Sequence, residues 1–136
     1  MEDFTKKIKF LVISMSIPAV LLLNAAFDAF NYSWRALFYV WFCMIFMLGH
    51  NMFIVNKDDW SSRAKRLACA HADASIGFIG CAVLMFFGDV YLMSMFLFPM
   101  IYFSAISALV VAYAIWKISE LFDANAADSD DEDDDD

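Results

Sequence analysis

Glycine and proline are scarce in this chain, with four and two residues among 136. A phosphate-cradling loop draws on clustered glycines, so such a loop has almost no material here. The three cysteines, Cys43, Cys69 and Cys81, are an odd number in apolar surroundings without CxxC spacing. They support neither a disulfide framework nor a zinc ribbon, and read as small packing residues. Also missing are a nucleophile elbow, an HExxH helix and paired glutamates on one helix face. The chain therefore reads as non-enzymatic, with no cofactor and no metal site. No internal repeat occurs. Basic charge is sparse as well, with nine Lys and Arg against 17 Asp and Glu and a net charge of −8. Ten of those acids, however, fall within the last 17 positions; the rest of the chain has nine basic and seven acidic residues, a net charge of +2. Overall acidity thus describes a tail rather than a surface, and nucleic acid is excluded as a partner of that tail.

Apolar surface is what the sequence has in excess. Hydrophobic residues make up 62% and aromatics 18%, against an apolar share of about 45–50% in soluble domains. One bilayer crossing takes roughly 20 apolar residues, and four stretches qualify: residues 10–27, 36–55, 67–87 and 95–116. The expected fold is an all-α integral membrane protein with a four-helix transmembrane domain over residues 1–119. Lys6, Lys7 and Lys9 before the first stretch resemble the start of a signal peptide, but 18 apolar residues exceed the roughly 7–15 of a signal core. The first stretch is therefore read as an uncleaved span. It carries Pro18 in its middle, which is tolerated where neighbouring helices re-satisfy the freed carbonyl. Gly88 is expected to close the third helix in the left-handed conformation, and residues 88–94 to form the turn before the fourth.

Short connections rich in lysine and arginine stay in the cytoplasm. With the N-terminus inside, eight basic residues (Lys6, Lys7, Lys9, Lys57, Arg63, Lys65, Arg66 and Lys117) lie inside, and only Arg35 lies outside. Both termini are accordingly expected in the cytoplasm, the membrane being a bacterial inner membrane. Residues 120–136 are expected to be disordered. Within them Asp128, Asp130, Asp131, Glu132, Asp133, Asp134, Asp135 and Asp136 form an acidic block that cannot bury enough apolar surface to offset chain entropy. The block suits docking of a basic cytoplasmic protein. The connection over 56–66 is long enough for a helical turn at most.

Depth along the helices brings four polar residues to one level. His50 lies about 7.5 Å into the second span, and His71 and Asp73 lie about 6–9 Å into the third. With Asn51 they form the candidate intramembrane polar cluster. Such groups usually face a bundle interior or a water-filled path. Two roles are open, an interhelical hydrogen-bond clamp and a titrating proton or cation site in which His50 and Asp73 form a coupled pair. Cys69, His71 and Asp73 do not suit a metal, because at about 100° per residue His71 points away from the other two.

Small residues form a second pattern. Ala70, Ala74, Gly77, Gly80 and Cys81 make a stripe on the third helix, and Ser104, Ala108 and Ala112 repeat it at i, i+4 and i+8 on the fourth. Close backbone approach drives helix association in lipid, so these stripes are expected to face each other or a second copy of the chain. The aromatics of the second span, together with Phe96, Phe98, Tyr102 and Phe103, are read as lipid-facing, and Trp34, Trp60 and Trp116 as an interfacial belt.

The function expected from these features is that of an interaction or regulatory subunit. It would meet membrane lipid, other membrane proteins or its own copies through packed helices, and a basic cytoplasmic protein through its tail. In gross architecture the chain also resembles phage holins, which are short proteins with several spans, short connections and a highly charged cytoplasmic terminus. That resemblance implies a pore or lesion former, although holin tails are more often basic. A small proton- or cation-linked transporter is the third reading.

Overall fold

A computed structural model describes the backbone of residues 1–134 and the side-chain surroundings of residues 1–128. Four helices follow one another: α1 (Glu2–Ala29), α2 (Trp34–Val55), α3 (Ser62–Phe87) and α4 (Val90–Asp134). Each is long and apolar enough to cross a membrane. All four extend past the apolar stretches at one end or both, and local chemistry explains where they start. Glu2 and Asp3 sit in the first turn of α1, where negative charge complements the helix dipole. Ser61 caps α3, its hydroxyl accepting from the Ala64 N–H at 3.2 Å. That cap starts α3 at Ser62, so the connection after α2 covers only residues 56–61 instead of 56–66.

The turn between α3 and α4 is tighter than the sequence suggests. Gly88 has φ −96° and ψ 174°, which is extended backbone rather than the expected left-handed closure. Glycine is required there by crowding, since a Cβ would lie 2.6 Å from both the Leu84 carbonyl oxygen and Leu92 Cδ1. Asp89 then caps α4, its Oδ1 accepting from the N–H groups of Tyr91 and Leu92, each at 3.1 Å. Two otherwise unpaired donors are satisfied by one carboxylate, so the helix begins at Val90 and not after Ser94. Pro99 lies inside α4 without ending it.

At 45 residues, α4 is about 68 Å long, more than twice the roughly 30 Å hydrocarbon thickness. It runs through most of the segment expected to be disordered. Ala124, Ala126 and Ala127 favour helix, and Lys117 pairs with Glu120 at 3.2 Å one turn apart. Asp135 and Asp136 lie outside the described residues.

Consecutive helices pack against each other and α1 meets α4, which closes a four-helix ring. The ring is flattened: α1 also touches α3 across the middle, whereas α2 and α4 do not pack together among the described residues. The buried face of α1 (Pro18, Leu22, Ala25, Ala26 and Ala29) recurs at helical spacing. The core also takes in Val40 and Met47 of α2, Ala74, Cys81 and Leu84 of α3, and Phe96 and Phe103 of α4. Phe96 and Phe103, expected to face lipid, are thus 0% and 1% exposed, and Tyr102 is half-buried. Gly77 on α3 leaves room for the Phe103 ring. Phe98 and the α2 aromatics Phe38, Tyr39, Trp41, Phe42 and Phe46 do point outward, as do Trp34, Trp60 and Trp116.

Candidate functional site

Three helix faces converge near the end of the bundle that carries the 56–61 connection. On α2, Met47, Asn51, Ile54 and Val55 turn inward. On α3, Cys69, Asp73, Ala74, Gly77 and Cys81 do so. Where these faces meet α1, the Asn51 amide donates to Asp73 Oδ2 at 3.3 Å and to Ser14 Oγ at 3.2 Å, with Met15 Sδ at 3.4 Å. Ser14 in turn donates to the Leu11 carbonyl at 3.0 Å. One side chain with two amide hydrogens thereby ties α1, α2 and α3 together. Asn51 is 0% and Asp73 4% exposed. Neither is fully satisfied: Asn51 Oδ1 and Asp73 Oδ1 are buried without a hydrogen-bond partner.

The two histidines stand apart from this junction. His50 is half-buried, its Nδ1 also lacks a partner, and it lines an outward groove between α2 and α3 beside Phe46, Ile76 and Ile79. Among the described residues His50 makes no hydrogen bond or ion pair with Asp73. His71 is exposed, with Nδ1 3.4 Å from Ser107 Oγ. The 100° step between neighbouring helical residues separates His50 from Asn51, and two such steps separate His71 from Asp73. No group of three His, Cys, Asp or Glu side chains is placed to hold a metal ion among the described residues. Ser14 was not foreseen. The depth count applied to α1 finds it, since it lies four residues, about 6 Å, into its span, level with the others.

Above the junction opens a cavity of about 840 Å³. Ser14, Ala70 and Asp73 line its buried part, the exposed Ile13 borders it, and its mouth carries Lys6, Lys7, Lys9, Lys65 and Arg66. Besides Asp73, the acidic residues that line it are Asp3 and Asp58. Two of the lysines also hold the end of α2. Lys65 donates to the Val55 carbonyl at 3.2 Å and Lys7 to Asn56 Oδ1 at 3.1 Å. The Lys65 contact occupies a backbone carbonyl that a helix C-terminus leaves open.

The two small-residue stripes have different surroundings. On α3, Ala74 and Cys81 are 1% exposed and Ala70 is half-buried. A Cβ at Gly77 would lie 2.6 Å from the Phe103 ring, and one at Gly80 would collide with the Cys43 sulfur. On α4, Ser104, Ala108 and Ala112 are exposed. They line an open groove of about 640 Å³ on the outside of the α3 and α4 pair, facing Ser75, Phe78 and Ile79. Of the acidic block, Asp128 is exposed on α4, the backbone of residues 129–134 is helical, and Asp135 and Asp136 fall outside the description. The chain matches no protein-family model, and comparisons with curated proteins and with solved structures give no match.

Proposed function

We propose that this chain is a non-enzymatic interaction subunit of a membrane, which docks a transmembrane helix of another protein or of a second copy in the groove between α3 and α4. The exposure of Ser104, Ala108 and Ala112 at one-turn spacing carries this reading. Small side chains let a neighbouring backbone approach closely, and in lipid such packing drives association where hydrophobicity does not. Ser75 and Ser107 in the same groove offer hydroxyls for an interhelical hydrogen bond. The topology that goes with it has both termini in the cytoplasm of a bacterial inner membrane, so that the acidic end of α4 meets basic cytoplasmic proteins.

The test is Ala108→Leu, which fills the groove without touching the core. Membrane partners or self-association recovered with the parent chain should be lost while the monomer remains folded. Retention of every contact would remove the groove from the reading, and prompt dye leakage on expression would favour the holin-like pore. For the topology, a cysteine at Asn31 in a cysteine-free background should label from outside and one at Ser62 should not.

A further inference from the structure

Two basic clusters more than fifty residues apart in sequence open onto one cavity. Lys6, Lys7 and Lys9 come from the first turns of α1, and Lys65 and Arg66 from the first turns of α3. The positive-inside rule accounts for lysine and arginine at this end of the bundle, but it does not require them to surround a common space. Five cations against Asp3 and Asp58 give the mouth a net charge of +3, and with Asp73 the whole lining carries +2. The side chains of Lys6, Lys9 and Arg66 are exposed and have no hydrogen-bond or ion-pair partner among the described residues. Seven residues separate Arg66 from Asp73 along α3, a depth of about 10 Å, and the half-buried Phe10 and Ala70 line the space between them. At the bottom Asp73 is 4% exposed with Oδ1 unpartnered, beside Ser14.

A ligand matching this profile has an anionic group for the mouth and a hydrogen-bond donor for the floor. We propose that the cavity binds a phosphate ester bearing a hydroxyl or amine. Its phosphate lies among Lys6, Lys9 and Arg66, where charge-assisted hydrogen bonds are strongest, and its donor is directed toward Asp73 and Ser14. Basic pockets between membrane helices bind lipid headgroups of this kind, and a soluble ester has the same chemistry. A free metal cation is disfavoured by the mouth, and an anion without a donor leaves Asp73 Oδ1 unsatisfied.

The experiment uses the full chain in nanodiscs of phosphatidylcholine, titrated calorimetrically with glycerol 3-phosphate and with inorganic phosphate. The ester should bind saturably and about tenfold more tightly than phosphate. Lys9→Gln combined with Arg66→Gln, both on exposed side chains, should weaken both ligands about tenfold or more. The control pair Lys57→Gln with Arg63→Gln, at the same end but outside the cavity, should leave both unchanged. Asp73→Ala, which removes the acceptor altogether, should erase the preference for the ester over phosphate. Discs containing phosphatidylglycerol separate the sources. If the lipid displaces glycerol 3-phosphate from the parent chain, the headgroup is the ligand; if it does not, the ligand is soluble. The proposal is overturned if neither ester binds in a manner sensitive to Lys9 and Arg66, or if the control pair weakens binding as much.

Discussion

Small residues recur at the same helical spacing on α3 and on α4, yet the two helices use them in opposite ways. Ala74, Gly77 and Cys81 of α3 are closed over by neighbouring helices, and the ring of Phe103 lies against Gly77. Ser104, Ala108 and Ala112 of α4 line an open groove. The difference lies in what stands opposite. The inward face of α4 presents Phe96 and Phe103, and large rings pack best against absent side chains, so α3 supplies the space and α4 fills it. With its inward face taken by aromatics, α4 leaves its small residues on the outside. A stripe of small residues thus marks close approach without saying whether the approaching helix belongs to the same chain.

The comparison breaks most sharply at Gly77. Gly77→Leu forces the buried Phe103 ring to move, and overpacking of this kind costs about 3 kcal/mol. Loss of folded protein in detergent, followed by size-exclusion profile and denaturant midpoint, checks it. Next in size is the polar junction that joins α3 to α1 and α2. Asn51→Leu leaves Ser14 and the Asp73 carboxylate without their shared donor and is expected to lower stability by about 1–3 kcal/mol. Asp73→Asn keeps shape and hydrogen-bonding capacity and should cost less than about 1 kcal/mol. Equal losses for the two variants would show that the charge of Asp73, rather than its hydrogen bond, holds the junction. The smallest effects belong to the outer surface. Ala108→Leu on α4 and Phe42→Leu on α2, the latter side chain being 59% exposed, should each change the unfolding free energy by no more than about 0.5 kcal/mol. A larger loss for Ala108→Leu in the isolated monomer would place that stripe in the core after all.

Four long apolar helices follow from composition and run length, because a bilayer crossing demands about 20 apolar residues and little else satisfies it. That Asn51 and Asp73 share one level was legible for a related reason, since helical rise alone sets their depth. Ser14 was legible by the same count but hidden by its weak polarity. The separation of His50 and His71 from Asp73 was only half legible. The 100° step turns His71 away from Asp73, yet nothing in one helix says which of its faces a neighbour will cover. Helix ends were read less well, because caps such as Ser61 and Asp89 act through hydrogen bonds that run-length counting does not register.

Hydropathy and the rise of the helix are properties of one segment at a time, and they sufficed for four helices long and apolar enough to cross a membrane. Pairing of faces depends on shape complementarity between helices distant in sequence, and a one-dimensional pattern does not contain it. Folding placed Phe96 and Phe103 inside, left Ala108 outside, and gathered Lys6, Lys9 and Arg66 around one cavity above Asp73. In lipid, where apolar side chains gain little from leaving their surroundings, the fit of one helix surface against another selects among these arrangements.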